Sequence, residues 1–260
     1  MGLLDGKVAI VSGIGPGLGI ELARAFAREG ADVALGARTE SALKEAAVEV
    51  EAQGRQAYWK RTDITKPEDC RALVAGTLEA LGKVDILANN AFAYPPFLLI
   101  EDADFTDWQG SFDVNLFGTL NMCQAVIAPM KAQGGGAIVN VNSMIQKKVL
   151  PYQAGYAASK GALTAATRSL AKELGGYGIR VNQTYMGWMW GPPVEGYVNG
   201  QAEALGVPKE QVIAEITKDI PLGIIPDDAD CANAVAFLAS DLANVITGAE
   251  LNVNGGEFML

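Results

Sequence analysis

The 260-residue sequence contains no histidine and only three cysteines. Without an imidazole, the chain cannot assemble a Ser-His-Asp or Cys-His catalytic group, or a zinc site that uses histidine. Cys70, Cys123 and Cys231 show neither disulfide nor metal-site spacing. We therefore expect no metal site and a reducing, cytoplasmic location, and any acid–base chemistry must use Tyr, Lys, Asp, Glu or Cys.

Positive charge and long apolar runs are also scarce. Lys and Arg total 20 against 30 Asp and Glu, which gives a formal net charge of −10. This balance argues against nucleic acid and anionic membrane surfaces as partners. The apolar runs are too short to span a membrane, and the N-terminus carries no signal-peptide pattern.

The sequence does contain a regular alternation of strand-like and helix-like segments. Apolar runs predict strands at residues 7–12, 32–37, 56–60, 84–88, 137–142, 179–184 and 250–253. Intervening amphipathic segments predict helices, among them 105–128, 202–218 and 227–239, and Thr65-x-x-Glu68 predicts a capping box. The alternation indicates one α/β domain over 1–260, a Rossmann-type doubly wound fold whose seven-stranded, mostly parallel sheet carries helices on both faces.

A glycine-rich turn follows the first predicted strand. Glycines let the backbone approach a phosphate closely, and the next helix presents free N–H groups and a positive dipole end. The spacing Gly13-x-x-x-Gly17-x-Gly19 differs from the strict G-x-G-x-x-G pattern. In its strand–helix context the turn predicts a dinucleotide site, and the alternative is a plain tight turn.

The end of the second predicted strand bears on the choice of cofactor. In dinucleotide folds this position faces the adenosine ribose, where an acidic residue holds the 2′-hydroxyl. Here Ala37 offers no acid, and Arg38 follows with a guanidinium that suits a 2′-phosphate. The pattern favours NADP(H) over NAD(H), unless Arg38 is an ordinary solvated residue.

Three polar side chains in the stretch 143–160 form a candidate catalytic group. Tyr156 and Lys160 are four residues apart in a helix-like segment, so they share one helix face. A nearby ammonium favours the phenolate and makes a phenol a better acid or base near neutral pH. Ser143, just after the fifth predicted strand, can then hold the reacting oxygen. Alternatively, Tyr156 and Lys160 are two ordinary residues on one helix, and Ser143 only caps the next segment.

With Asn89-Asn90-Ala91 and Asn115 added in the same order, nearly the whole chain resembles the short-chain dehydrogenase/reductase family. The resemblance implies hydride transfer between a nicotinamide and a carbonyl or alcohol carbon, with Tyr156 as acid or base. Ser143 would bind the substrate oxygen, Lys160 would bind the nicotinamide ribose and lower the Tyr156 pKa, and Asn115 would hold a water linked to Lys160. Tyr156 and Lys160 would also contact the cofactor, and the other implied cofactor residues are Gly13, Gly17, Leu18, Gly19, Arg38, Asp63, Ile64, Asn90, Ala91, Gly187 and Met189. The family further implies a homotetramer, or a dimer, packed through the helices that carry Asn115 and Tyr156.

The sequence departs from the family pattern near the cofactor. Phe92 stands where glycine is expected after Asn-Asn-Ala, and Met186 replaces the usual proline. Gly191 stands where a threonine often contacts the carboxamide, and Asn254 where aspartate is usual. These departures concern cofactor geometry and substrate class rather than the four candidate catalytic residues, Asn115, Ser143, Tyr156 and Lys160.

A bulky segment after the sixth predicted strand points to the substrate. It contains Trp188, Met189, Trp190 and Tyr197, and we expect a substrate lid at about 186–218. The candidates to line the same cleft are Phe92, Tyr94, Phe97, Met144 and Tyr152. Apolar pockets with few polar anchors suit a hydrophobic ketone or secondary alcohol. The segment could instead be a packed lid or a subunit contact. The rival functions are a 3-oxoacyl thioester reductase and a catalytically silent cofactor-sensing protein.

Overall fold

Seven strands form one sheet in which every neighbouring pair is parallel. A computed structural model of the chain describes residues 2–259. The spatial order is β3-β2-β1-β4-β5-β6-β7. The strands are β1 Val8–Ser12, β2 Asp32–Ala37, β3 Ala57–Arg61, β4 Ile86–Asn89, β5 Gly136–Ser143, β6 Ile179–Met186 and β7 Glu250–Val253. The predicted fold is confirmed, and the predicted strand boundaries are correct to within two residues.

Nine α-helices connect and cover the strands within residues 2–259. They are α1 Leu18–Arg28, α2 Glu40–Ala52, α3 Pro67–Leu81, α4 Phe105–Phe112, α5 Thr119–Ala132, α6 Ala154–Leu174, α7 Pro192–Leu205, α8 Lys209–Thr217 and α9 Asp228–Ala239. None of these helices is long and apolar enough to cross a membrane.

The core lies in two layers, one on each face of the sheet. Helices α1, α2 and α9 pack against one face around Phe26, Leu43 and Val235. Helices α3, α5 and α6 pack against the other, and Cys70 and Cys123 belong to that layer. Burial raises the pKa of each cysteine thiol, that of Cys231 included, to about 12. At neutral pH these side chains are therefore small apolar packing groups rather than nucleophiles.

The strand order places a crevice at the carboxyl ends of the strands. The chain leaves β1 toward β2 on one side, whereas β4 lies on the other side of β1, so the order reverses between β1 and β4. In open parallel sheets, ligands bind at such a switch point. Strands β5 and β6 run slightly beyond their predicted ends, which pairs Ser143 with Met186 at the edge of the crevice.

The helix predicted over 105–128 is present, and the structure adds a π-helical segment inside it. Helix α4 ends at Phe112, a π-helical segment spans Asp113–Gly118, and α5 continues to Ala132. The π segment contains Asn115, whose buried amide bonds the backbone of Ala93. A Cβ at Gly118 would lie 2.6 Å from Ile64 Cγ1, so glycine allows this close contact.

Two other local predictions are wrong. The helix predicted over 202–218 is broken by Gly206, which has φ of 66°, and by Pro208, which precedes α8. The predicted capping box does not form. The N-cap of α3 is Lys66, one residue later than the box requires, and the Thr65 hydroxyl donates to Asp63 Oδ1 at 2.8 Å.

Candidate active site

A cavity of about 440 Å³ occupies the crevice at the carboxyl ends of the strands. Every residue predicted to bind cofactor lines it, as do three of the four predicted catalytic residues, and Asn115 lies behind it. The lining includes Gly13, Gly17, Leu18, Gly19, Arg38, Asp63, Ile64, Asn90, Ala91, Ser143, Tyr156, Lys160, Gly187 and Met189. Residues far apart in sequence therefore share one continuous surface.

The glycine turn forms a backbone cradle. Gly13 has φ of 101°, and a Cβ there would lie 2.2 Å from the Ala91 nitrogen. A Cβ at Gly19 would lie 2.5 Å from the Gly13 oxygen, which accepts a hydrogen bond from Asn90 Nδ2 at 2.7 Å. Leu18 and Gly19 begin α1 at the cavity, where helix N–H groups lack intrahelical partners. This cradle fits a phosphate group.

Arg38 and Asp63 mark the other end of the cavity. Arg38 is exposed and follows the last residue of β2. Burial acts to raise the pKa of Asp63, but hydrogen bonds from Thr65 and the charges of Arg38 and Lys66 outweigh it and leave the pKa below its ordinary value. Asp63 is therefore ionised, and Arg38 provides a cation beside it.

Tyr156 and Lys160 lie one turn apart on α6, and both are buried. Lys160 Nζ donates to the Val141 carbonyl at 3.0 Å and lies 5.8 Å from the centroid of the Tyr156 ring. Burial lowers the pKa of Lys160 to about 8, so the amine is mostly charged at neutral pH. The prediction that one helix face presents both groups to a common site agrees with this geometry.

The pKa of Tyr156 differs from the expectation. Burial raises it well above its ordinary value, and the charge and hydrogen bonding of Tyr94 raise it further, whereas the hydroxyl of Ser143 lowers it. Lys160 does not contribute the expected lowering, and its ammonium donates to the Val141 carbonyl. As the cavity stands, the phenol is therefore a proton donor rather than a base.

A buried amide, Asn142, holds the catalytic group together. Asn142 Oδ1 accepts a hydrogen bond from the Ser143 amide at 2.8 Å, and its Nδ2 donates to the Lys160 carbonyl at 3.1 Å. The Ser143 hydroxyl accepts from the Ile145 amide at 3.2 Å, which leaves its proton free to donate. We did not predict Asn142 from the sequence, although a polar residue inside an apolar strand was a usable signal.

Asn115 supports the same group from behind. Its Nδ2 donates at 2.9 Å to the hydroxyls of both Ser111 and Ser159, and the Ser159 hydroxyl donates to the Tyr156 carbonyl at 2.8 Å. Because Asn115 also bonds the backbone of Ala93, its side chain links the loop after β4 to α6. Its predicted water-holding role stays a prediction.

Aromatic and apolar side chains form the outer part of the cavity. Phe92, Tyr94, Met144 and Trp188 line it, as the sequence predicts for a substrate cleft. Phe97, Tyr152 and Tyr197 are each about half exposed and do not line it. Tyr197 instead contacts Trp188, with ring centroids 5.3 Å apart. The cleft is therefore apolar on the side that faces Tyr156.

Comparison with known proteins gives consistent matches along the chain. A family model described as Enoyl-(Acyl carrier protein) reductase matches residues 13–257. A 3-oxoacyl-[acyl-carrier-protein] reductase from Staphylococcus epidermidis is 34% identical over 254 residues, covering 97% of this chain and 99% of its own. L-sorbose reductase from Gluconobacter frateurii, solved with NADPH and L-sorbose, is 29% identical with a TM-score of 0.93, covering 100% of this chain and 99% of that one. NAD⁺-bound xylitol dehydrogenase is 32% identical with a TM-score of 0.89, covering 97% and 99%.

Proposed function

Because the chain belongs to the short-chain dehydrogenase/reductase family of oxidoreductases, we propose that it interconverts a hydrophobic ketone and a secondary alcohol by hydride transfer. One observation carries the proposal: Ser143, Tyr156 and Lys160 open on the same cavity as the glycine turn. A proton donor and a phosphate cradle therefore line one cavity.

The cradle and the far end of the cavity suit a nicotinamide dinucleotide. The N-terminus of α1 would hold the pyrophosphate, and Asp63 and Ile64 would contact the adenine. Arg38 favours NADP(H), because its guanidinium suits a 2′-phosphate, and NAD(H) is the alternative. When bound, the nicotinamide supplies the hydride donor in reduction and the hydride acceptor in oxidation.

The protein's own groups would handle the proton. In reduction the Tyr156 hydroxyl protonates the carbonyl oxygen, and in oxidation its phenolate takes the proton from the alcohol. The free proton of the Ser143 hydroxyl points to a hydrogen bond with the same oxygen. The charge on Lys160 would favour the phenolate once its ammonium is closer to the phenol.

The substrate class follows from the outer cavity. Phe92, Tyr94, Met144 and Trp188 offer apolar surface beside Tyr156. Lys147 and Lys148, which follow the cavity residues Met144 and Ile145 in sequence, do not line the cavity, and they pair with Glu250 at 4.0 Å and Glu257 at 2.8 Å. Since these charges are already matched, an uncharged hydrophobic substrate fits better than an anionic one.

A 3-oxoacyl thioester reductase is the second candidate. The Staphylococcus epidermidis relative, named for that activity, favours it. An acidic carrier protein would need a basic docking surface, and a net charge of −10 with paired lysines offers little of one. A catalytically silent cofactor sensor is a third candidate, and the complete Ser143–Tyr156–Lys160 group argues against it.

One assay separates the three candidates. Absorbance of the reduced nicotinamide is followed with panels of hydrophobic ketones, secondary alcohols and 3-oxoacyl thioesters. Turnover of cyclic or aromatic ketones above thioesters is the expected result. A preference for thioesters would favour the second candidate, and cofactor binding without turnover of any compound would favour the sensor.

The predicted self-association also has a structural rationale. Phe105 at the start of α4 and Phe117 in the π segment are 64% and 54% exposed. Large exposed apolar side chains often mark a protein interface. We propose a homotetramer that covers them. Light scattering should give four times the chain mass, and a strict monomer would contradict the proposal.

A further inference from the structure

Asp228 is a buried carboxyl group with no function assigned so far. It is the first residue of α9, and only 6% of its surface is exposed. Its side chain lines the main cavity together with Gly17 and Leu18. A nearly buried acid beside a predicted pyrophosphate cradle is unexpected, because two negative charges at close range repel each other.

The carboxyl group fills a space that a side chain at position 191 would need. A Cβ at Gly191 would lie 1.8 Å from Asp228 Oδ2, and a Cβ at Gly17 would lie 3.0 Å from the same oxygen. Main-chain pairing fixes this arrangement, since the Asp228 amide donates to the Trp190 carbonyl at 3.2 Å. Gly191 and Asp228 therefore form a complementary pair, and the acid is held against the N-terminal turn of α1.

The charged groups around Asp228 do not neutralise it. Glu21 on α1, Glu45 on α2 and the adjacent Asp227 line a neighbouring cavity together with Asp228. The cation there, Arg24, pairs with Glu21 and Glu49. Burial, followed by the charges of Glu21 and Asp227, raises the pKa of Asp228 to about 6.

We propose that Asp228 is a cofactor-binding residue that must carry a proton for a dinucleotide pyrophosphate to bind tightly in the cradle of α1. The protonated acid donates a hydrogen bond to a phosphate oxygen from the space that Gly191 leaves open. The ionised acid repels the phosphates instead. This inference rests on the proposed use of a nicotinamide dinucleotide, and it makes cofactor affinity decrease as pH rises.

The test is calorimetric titration of the full-length protein with NAD⁺ between pH 6 and pH 8. NAD⁺ is the probe because its pyrophosphate stays ionised in this range, whereas a 2′-phosphate has a second pKa of about 6. Binding of NADP⁺ is measured in parallel. Subtracting the Asp228→Asn data removes the contribution from protonation of the NADP⁺ 2′-phosphate. Asp230→Asn is the matched control, because Asp230 is an exposed acid on the same helix and loses the same charge.

We expect the wild-type Kd for NAD⁺ to rise roughly tenfold or more from pH 6 to pH 8, because the free acid ionises over this range. The Kd of Asp228→Asn should change less than twofold, and Asp230→Asn should follow the wild type. Titration in buffers of different ionisation enthalpy should show uptake of about one proton per bound NAD⁺ at pH 8. That measurement needs no variant and therefore does not depend on how well Asp228→Asn folds.

Two results would overturn the inference. One is an Asp228→Asn protein that keeps the wild-type pH dependence, and the other is wild-type binding that is equal at pH 6 and pH 8 without proton uptake. Failure of both NAD⁺ and NADP⁺ to bind either protein at any pH is a different outcome. It would reject the proposed dinucleotide function, and this inference with it.

Discussion

The rings of Tyr94 and Tyr156 lie with their centroids 4.4 Å apart and their planes inclined at 52°. Tyr94 also contacts Phe92 and Phe97, with centroids at 5.2 Å and 5.4 Å. An aromatic row therefore leads from the protein surface to the candidate acid. Since burial and then Tyr94 raise the pKa of Tyr156, the loop after β4 helps to set the reactivity of α6.

Tyr94→Phe should shift the pH dependence of oxidation. The change keeps the ring but removes the hydroxyl that raises the pKa of Tyr156, so the phenolate should form at lower pH. The rising limb of kcat/KM against pH for alcohol oxidation should therefore move to lower pH. Tyr177→Phe alters an exposed phenol elsewhere and serves as control. An unchanged profile would mean that Tyr94 does not act on Tyr156.

Tyr156→Phe should remove turnover without removing cofactor binding. Only the hydroxyl is lost, and general acid–base groups contribute about 10²–10⁴-fold to rate. Steady-state kcat should fall by about that factor, while the cofactor Kd measured by titration stays within about twofold. Activity close to that of the wild type would exclude Tyr156 as the acid or base.

Lys160→Met should stabilise the protein while abolishing activity. Burial lowers the pKa of Lys160 to about 8, so below pH 8 the folded state must hold a desolvated charge that the unfolded state solvates freely. Removing the amine should raise the free energy of unfolding at pH 7 by about 1–3 kcal/mol, because a lowered lysine pKa means that the charge destabilises the folded state. This figure is net of the lost hydrogen bond to Val141.

The pH dependence of the Lys160→Met effect follows from the same linkage. Between the folded-state pKa of about 8 and the ordinary value of 10.5, Lys160 loses its proton in the folded wild-type protein but keeps it in the unfolded chain. The stabilisation by Lys160→Met should therefore shrink as pH rises. Urea unfolding of the cofactor-free protein at pH 7 and pH 10 measures both values. A variant less stable than the wild type at pH 7 would contradict the desolvation argument.

Arg38→Ala should weaken NADP(H) more than NAD(H). The exposed guanidinium at the end of β2 lines the cavity where a 2′-phosphate would lie. Loss of a charge-assisted contact costs about 1.5–3 kcal/mol, or about 10- to 150-fold in Kd. Arg71→Ala removes an exposed arginine outside the cavity and is the matched control. Equal loss for both cofactors would show that Arg38 does not read the phosphate.

Gly191→Ala should destabilise the protein through a clash with Asp228. The added methyl would lie 1.8 Å from Asp228 Oδ2, and overpacking of this kind costs about 1–3 kcal/mol. Asp228→Ala removes the clash, so the double variant should recover most of that loss. A double-mutant cycle of unfolding free energies measures the coupling. Coupling near zero would mean that the two positions do not compete for space.

The alternation of apolar strands and amphipathic helices determined the fold class, because burial on both faces of a parallel sheet requires that pattern. The glycine turn and the i, i+4 pair of Tyr156 and Lys160 could also be identified from the sequence alone. Each depends on local geometry, in which a few neighbouring residues settle the backbone path or the helix face. The assembly state, the substrate lid at about 186–218 and the cellular location stay predictions.

Only the tertiary structure decided what depends on distant partners. The π segment places Asn115 against the backbone of Ala93, and the pairing of Gly191 with Asp228 joins the residue before α7 to the first residue of α9. The pKa of Tyr156 rises because of desolvation and Tyr94, whereas Lys160, its expected partner from the spacing, does not act to lower it. Burial and close approach are properties of the packed chain, so no local pattern of residues could reveal them.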